Sequence, residues 1–165
     1  MTDDCSAILH LPTSLAMALQ GAGVELLAAS LEADMGIQLW DAEGLAFFLN
    51  SSTENHFGFE KIAPGLHWQS LAQLCLDERG EPVSPDQFPI SAVLATGKSS
   101  AEIAVQIVGV TNGRRWIRIS AQPLKHPESG VFMVFSTTID VTESYDERER
   151  LQYQAYHKIY LQYIL

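Results

Sequence analysis

The fold of this chain is decided by residues 101–143, AEIAVQIVGVTNGRRWIRISAQPLKHPESGVFMVFSTTIDVTE. The stretch contains three runs that are rich in β-branched and aromatic side chains, which favour strands. These runs cover residues 101–110, 114–124 and 131–141, and two segments with the composition of turns, 111–113 and 126–130, separate them. We therefore predict three antiparallel strands in a meander.

The segment before this meander predicts a β-hairpin followed by short helices. Met35–Trp40 and Leu45–Asn50 are two short apolar runs around an acidic turn that ends in Gly44. Frequent Gly and Pro residues then divide the chain into short pieces with helical spacing. The predicted helical pieces are Ser51–His56, Leu66–Leu76 and Gln87–Ala95.

Both ends of the chain predict helices. Between Thr13 and Leu31 apolar residues recur at helical intervals, and from Ser144 onward a charged segment carries one apolar stripe. The element order is helix, two strands, several short helices, three strands and helix. This order predicts an α+β fold in which a five-stranded antiparallel sheet is covered on one face by short helices, with a pocket between them.

The charge and the cysteines exclude several classes of function. The net charge is −10, and the basic cluster of Arg114, Arg115 and Arg118 is too small to neutralise the phosphates of a nucleic acid or an anionic membrane. The acidic N-terminal residues and the lack of a long apolar run predict a soluble, cytoplasmic chain. The two cysteines, Cys5 and Cys75, provide neither a disulfide framework nor a metal clip.

Several motifs stand in an order that resembles one family. The motifs are Trp40-Asp41-Ala42-Glu43-Gly44 with Asn50, the segment from Glu81-Pro82 to Gly97, the run Gly113–Leu124, and Ile139-Asp140-Val141-Thr142-Glu143. They are similar to the opening hairpin, the helix before the third strand, the fourth strand and the exit motif of PAS sensor domains. The resemblance covers residues 34–151. It implies an N-terminal helical extension (1–33), a PAS sensor domain (34–143) and a C-terminal linker helix (144–165).

The resemblance also implies how a signal would leave the domain. Leu151–His157 resembles the helix that leads into GGDEF diguanylate cyclase domains, which implies a role in cyclic-di-GMP signalling and an output domain beyond this chain. Asp140 and Thr142 have short side chains that can bond to free backbone groups where the last strand turns into the exit helix. We predict that these two residues relay the signal, with the alternative that they only end the strand and cap the helix.

The predicted pocket would be lined from both the helices and the sheet. Asn50, Arg118 and Ser120 are the candidate donors for a carboxylate or carbonyl of a small-molecule ligand. Arg118 has an alternative position on the solvated face, and most of the apolar candidates have an alternative role as plain core. The candidate lining residues are Asn50, His56, Trp68, Leu71, Ile103, Val105, Ile117, Arg118, Ile119, Phe132 and Val134.

No cofactor is assigned from the resemblance. Haem in this family is usually held by a His on a helix over the sheet, and the helix before Gly97 has none, which leaves His67 as the alternative ligand. Flavin photosensors of the family carry a reactive Cys in an Asn-Cys-Arg motif. Because Cys75 lies in Gln-Leu-Cys-Leu instead, we do not expect flavin photochemistry, and we predict no other metal site.

Two apolar stripes predict a homodimer, because a few large side chains buried across a two-fold axis suffice to hold one. The stripes are Leu15, Leu19 and Leu26 on the N-terminal helix and Leu151, Ala155 and Ile159 on the exit helix. The alternative is that the N-terminal helix packs onto its own sheet.

Two alternatives to a ligand-binding sensor stay open. One is a ligand-free dimerisation module. The other is a small-pocket α+β enzyme, but no nucleophile, base and orienting group fall into a recognisable spacing, so we predict no catalysis.

Overall fold

The described part of the chain begins with the predicted hairpin. The computed structural model describes residues 34–62, 65–109, 114–125, 130 and 132–164. Strand β1 (Gly36–Trp40) and strand β2 (Ala46–Leu49) pair antiparallel. Asp41 shapes the turn between them, because its Oδ1 accepts hydrogen bonds from the backbone N–H groups of Glu43 at 3.0 Å and Leu45 at 2.8 Å.

The remaining elements follow in the predicted order, with small shifts at their ends. The helices are α1 (Ser51–Phe57), α2 (Trp68–Ala72), α3 (Pro89–Thr96) and α4 (Thr142–Ile164), and a 3-10 turn covers Pro85–Gln87. The further strands are β3 (Cys75–Leu76), β4 (Ile103–Ile107), β5 (Arg115–Lys125) and β6 (Phe132–Asp140). Helix α4 begins two residues before the predicted Ser144. The helix predicted within residues 1–33 lies outside the described residues.

The helix predicted over Leu66–Leu76 is wrong in its second half. Cys75 and Leu76 form strand β3, in which Cys75 pairs with Ile107 and Leu76 with Gln106 of β4. The apolar residues of this segment suit a helix or a strand, and the open edge of β4 offers backbone partners that favour the strand. The sheet therefore has six strands, one more than expected, and Cys75 does not lie in a helix.

The six strands form one antiparallel sheet in the order β2-β1-β6-β5-β4-β3. The longest pairing joins β5 to β6, from Ile117 opposite Asp140 to Lys125 opposite Phe132. Side chains alternate between the two faces of a strand, so Ile117 and Ile119 share one face. That face and the helices form the main core, whose members include Trp40, Phe57, Trp68, Leu71, Phe88, Ile90, Val93, Val105, Ile117, Ile119 and Val134.

A second apolar cluster lies on the opposite face of the sheet. It consists of Ile37, Leu39, Leu124, Met133 and Phe135, all buried. Burial of each such side chain contributes about 1.5–3 kcal/mol, so both faces of the central strands stabilise the sheet. No helix within the described ranges combines the length and apolar composition that crossing a bilayer requires.

Candidate functional site

A cavity of about 650 Å³ lies beside β4, between α3 and the loop that follows β3. Its volume is in the range of small-molecule sites. The walls combine an apolar floor with a polar, exposed rim. The lining residues are Asp77, Glu78, Arg79, Val83, Gln87, Ala92, Ser100, Ala101, Ile103, Ala104 and Val105.

Ser100 gives this cavity a distinctive polar group. Its Oγ is buried and has no hydrogen-bond partner within the described part of the chain. Its backbone N–H is fixed by a 3.1 Å bond to the carbonyl of Ala121 on β5. A buried hydroxyl without a partner costs about 1–3 kcal/mol, and a ligand with a hydrogen-bonding group would recover that cost.

Six of the eleven predicted pocket residues are buried in the main core, and two, of which Val105 is also a core residue, line the cavity. Of that set, Ile103 and Val105 line the cavity. Phe132 is half-buried and packs against the main core. The described cavity lies nearer the β4 edge of the sheet than the predicted pocket does. The predicted pocket residues buried in the main core are Trp68, Leu71, Val105, Ile117, Ile119 and Val134.

Asn50, a predicted ligand donor, caps helix α1. Its Oδ1 accepts hydrogen bonds from the backbone N–H groups of Ile37 at 2.9 Å and Thr53 at 3.1 Å. Its Nδ2 donates to the carbonyl of Met35 at 2.9 Å. The side chain thus caps the start of α1 and connects that helix to β1.

The predicted donor Arg118 is directed away from the cavity. It lies on the exposed side of β5, and its Nε is 3.9 Å from Oε2 of Glu102. Strand alternation separates it from Ile117 and Ile119, which face the core. Ser120, on the same face as Arg118, shares a 2.7 Å hydrogen bond with Thr137. Neither side chain is placed to bind a ligand in the main core.

His56 belongs to a buried polar cluster between α1, β1 and β6. Its Nδ1 lies 2.8 Å from Oγ1 of Thr138, and its Nε2 has no partner among the described residues. Gln38 Nε2 donates to Thr53 Oγ1 at 2.7 Å and to Thr138 at 3.3 Å. Burial lowers the pKa of His56 below its ordinary value, against the opposing charges of Asp34 and Asp140. The imidazole is therefore held neutral.

The predicted relay residues lie at the end of β6 and the start of α4. Asp140 Oδ1 accepts a 2.9 Å hydrogen bond from the backbone N–H of Thr142. Thr142 Oγ1 accepts a 2.9 Å bond from the backbone N–H of Trp116. The backbone N–H of Val141 donates to the carbonyl of Trp116 at 2.9 Å. The first turn of the exit helix is thus fastened to β5.

Arg115 connects this junction to α1. Its Nη1 donates to the backbone carbonyls of Asn55 and His56 at the end of α1. Its Nε lies 3.7 Å from Oδ2 of Asp140. Cations at a helix C-terminus are favoured by the helix dipole. One side chain therefore joins the polar cluster around His56 to the start of the exit helix.

The next turns of α4 rest on the edge of the sheet. The ring of Tyr145 stacks on Trp116 with centroids 4.3 Å apart and planes inclined by 12°. Tyr145 Oη donates a 3.0 Å hydrogen bond to Oε1 of Glu78, a residue of the cavity rim. Arg114 forms ion pairs with Asp146 at 3.6 Å and with Glu149. These contacts reach the first two turns of the helix.

The rest of α4 projects away with its side chains exposed. No residue of α4 is buried. The predicted dimer stripe is open to solvent, since Leu151 is 53% exposed, Ile159 is 55% exposed and Ala155 is also exposed. The other half of the predicted stripe, formed by Leu15, Leu19 and Leu26, lies outside the described residues.

The surroundings of His67 and Cys75 suit neither a haem ligand nor a reactive flavin partner. His67 uses both ring nitrogens, because Nε2 donates to the carbonyl of Glu43 at 3.1 Å and Nδ1 accepts from the backbone N–H of Gln69 at 3.3 Å. It does not fit as a haem ligand. Burial raises the pKa of the Cys75 thiol to about 12, and its Sγ donates to the carbonyl of Leu71. Such a thiol does not fit as a reactive flavin partner.

Nine of the eleven residues that line the cavity, Ser100 and Glu78 among them, were not predicted from the sequence, and neither was the contact of Tyr145 with Glu78. Ser100 follows Gly97, Lys98 and Ser99, a composition that indicates only a turn. Glu78 and Tyr145 are 67 positions apart, and no local spacing connects them. Of these residues only Tyr145 stands out in the sequence, because it is an aromatic residue in a highly charged stretch.

Comparison with known proteins supports the fold. No protein-family model matches this sequence, and neither does any curated protein. A sensory box histidine kinase/response regulator from Burkholderia thailandensis matches at TM-score 0.51 and 16% identity, over 80% of this chain and 95% of that one. A light-oxygen-voltage domain studied with a flavin analogue matches at TM-score 0.51 and 12% identity, over 82% and 98% of the two chains.

A third solved structure, the sensor region of a sensor histidine kinase, matches at TM-score 0.52 and 17% identity. The match covers 82% of this chain and 54% of that one. At identities this low the similarity is one of fold. The six-stranded antiparallel sheet, the helices on one face and the C-terminal helix together define this chain as a PAS fold of the α+β class.

Proposed function

We propose that this chain is a non-enzymatic PAS sensory module that binds a small molecule in the cavity beside β4 and passes its state through α4 to an output domain. The observation that carries the proposal is the cavity of about 650 Å³, whose wall holds the Oγ of Ser100 without a hydrogen-bond partner among the described residues. The sensory histidine kinases among its structural neighbours are compatible with this role. The predicted cytoplasmic location stays a prediction.

The walls of the cavity indicate the class of ligand. Val83, Ala92, Ile103 and Val105 provide an apolar floor, while Ser100 offers one hydroxyl inside. We infer a small, mostly apolar molecule with one hydrogen-bonding group, because specificity in such sites comes from few polar contacts.

The output partner is proposed from the sequence of the exit helix. Leu151–His157 resembles the helix that precedes GGDEF diguanylate cyclase domains. Cyclic-di-GMP signalling through a GGDEF output is therefore part of the proposal. The exposed stripe on α4 supports a homodimer, in which two exit helices would meet.

A test of ligand binding compares two matched substitutions on α3. Ala92→Trp fills the cavity, whereas Ala95→Trp places the same side chain on the exposed side of the helix. The purified wild-type protein and Ala95→Trp should both release the same small molecule in denaturing mass spectrometry, and Ala92→Trp should release none. Equal amounts from both variants would place the molecule elsewhere.

A second candidate is a ligand-free dimerisation module. It is favoured by the exposed Leu151 and Ile159 on α4. The same experiment separates the two candidates, because this module would release no small molecule from the wild-type protein. An absorbance spectrum without a chromophore band would agree with either candidate. It would show only that the purified protein carries no coloured cofactor.

A further inference from the structure

Glu78 lines the cavity and also contacts the exit helix. Its side chain forms part of the cavity rim, and its Oε1 accepts the 3.0 Å hydrogen bond from Tyr145 Oη on α4. Tyr145 is held at this position by its ring stack on Trp116. The wall of the cavity thus contacts the helix that leaves the domain. Through this contact a bound molecule can alter the start of the helix.

The rim can move while the sheet stays in place. Glu78 lies in a turn that Asp77 closes, since Asp77 Oδ1 accepts hydrogen bonds from the backbone N–H groups of Arg79 at 2.8 Å and Glu81 at 3.0 Å. Residues 78–81 are exposed, whereas Cys75 in the adjoining strand is buried. Exposed turns have lower local stability than buried strands, so an occupant that needs more room displaces the turn first.

The helix has few other attachments. Its described contacts with the sheet are those of Thr142, Tyr145, Asp146 and Glu149. The ion pairs of Asp146 and Glu149 are exposed and contribute little. The Glu78–Tyr145 hydrogen bond is exposed as well, so its loss is worth at most about 1 kcal/mol, which corresponds to at most about a fivefold change in the opening equilibrium of this segment.

We propose that the Glu78–Tyr145 hydrogen bond reports cavity occupancy to α4: an occupant pushes the rim outward, the bond breaks, and the first two turns of the helix loosen. This inference rests on the proposed function, since it assumes that the cavity accepts a molecule. It adds a route to the helix that is separate from Asp140 and Thr142.

The test fills the cavity with a known group. In the full chain carrying Cys5→Ser, Ala92→Cys is labelled with methyl, butyl and benzyl methanethiosulfonate. Cys75 stays unlabelled because its thiol is buried with a pKa of about 12. The control is Ser70→Cys on the exposed part of α2, labelled with the same reagents. Amide hydrogen exchange of residues 145–149 is then measured by mass spectrometry.

We expect the benzyl label at position 92 to raise exchange of residues 145–149 measurably and by at most about fivefold, with smaller effects of the smaller labels and none from position 70. Tyr145→Phe keeps the ring stack and removes the hydroxyl, so it should raise exchange by itself, and the label should then add nothing. Glu78→Leu should act like Tyr145→Phe, whereas Glu78→Gln retains an acceptor oxygen and should behave like the parent protein.

The possible failures are distinguishable. If the introduced thiol at position 92 takes up no reagent in the folded protein, the cavity accepts no occupant, and both the proposed function and this inference fall. If labelling is complete but residues 145–149 exchange as before, or respond equally in Tyr145→Phe, the inference alone falls. An unchanged exchange rate in unlabelled Tyr145→Phe would also overturn the inference, without any bearing on the cavity.

Discussion

The neutral imidazole of His56 makes the stability of this domain depend on pH. Burial lowers its folded-state pKa below 6.5, while in the unfolded chain it titrates at its ordinary value. Between these two pKa values the unfolded state binds more protons, so the free energy of unfolding falls as the pH drops. The contribution of His56 is fully present above about pH 6.5 and is lost toward its folded pKa.

We therefore predict that His56→Gln weakens the loss of stability that the wild-type protein shows between about pH 7.5 and about pH 5. Glutamine keeps a polar atom near Thr138 but carries no titrating proton. Urea unfolding at several pH values measures the effect. The control His157→Gln removes an imidazole from exposed α4 and should retain the wild-type dependence. If the free energy of unfolding fell with pH equally in wild type and His56→Gln, the buried cluster would not be the cause of the pH dependence.

Gly36 is required by the close approach of three side chains. A Cβ at this position would lie 2.0 Å from Oγ1 of Thr138, 2.9 Å from Oγ1 of Thr53 and 3.1 Å from Nδ1 of His56. Any side chain there would push the buried polar cluster apart. The glycine thus fixes the spacing between β1, β6 and α1.

Gly36→Ala should therefore lower the free energy of unfolding by about 3 kcal/mol or more, as overpacking in a closed core does. The matched control is Gly65→Ala, where a Cβ meets nothing within 4 Å but φ is +81°. Its cost should be only the backbone strain of about 1–2 kcal/mol. Equal losses in denaturant unfolding of the two variants would show that contact with the cluster is unimportant.

The start of α4 is an element whose position depends on two side chains. Asp140 caps the helix through the backbone N–H of Thr142, and Thr142 bonds to the backbone of Trp116. Both bonds were anticipated by residue type, because short polar side chains favour helix starts. The partner of Thr142, the backbone N–H of Trp116, could not be predicted, because it lies on a neighbouring strand.

We predict that Asp140→Ala costs about 1 kcal/mol of helix stability and speeds amide exchange in the first turn of α4. Asp140→Asn keeps the accepting oxygen and should have the smaller effect. Thr142→Ala should act like Asp140→Ala, and Thr142→Ser should act like wild type. If output from an attached effector domain is unchanged in both alanine variants while exchange rises, the pair caps the helix without relaying a signal.

The short elements show where prediction from sequence stops. The long strands and the exit helix were predicted because their patterns extend over many residues. The segment around Cys75 was not, because its two strand residues depend on the free edge of β4, which no local pattern reveals. The same limit applies to the predicted pocket. Trp68, Leu71 and Ile117 are residue types that suit either a ligand site or a core, and only the packing of the folded chain distinguishes the two.

For the whole molecule, the exposed half of α4 is the feature that predicts association. Leu151 and Ile159 are more than half exposed although apolar, and Ala155 lies between them. Burying two such side chains per subunit contributes about 1.5–3 kcal/mol each. We expect a homodimer in sedimentation equilibrium at micromolar concentration.

Ile159→Asp should shift this protein to the monomer, because two buried carboxylates would face each other across the two-fold axis. Lys158→Asp, one position away, is the control and should stay dimeric. A wild-type protein that sediments as a monomer, or two variants with the same association constant, would exclude the α4 stripe as the interface.

The most direct measurement is a titration of the isotope-labelled full chain with benzyl alcohol, a small apolar molecule with one hydroxyl, followed by amide NMR signals. We predict saturable shifts of Val83 and Ile103 in the cavity together with Tyr145–Glu149 on α4, and the loss of all these shifts in Ala92→Trp. The account would be contradicted by the absence of saturable shifts at Ile103, or by cavity shifts that leave Tyr145–Glu149 unchanged.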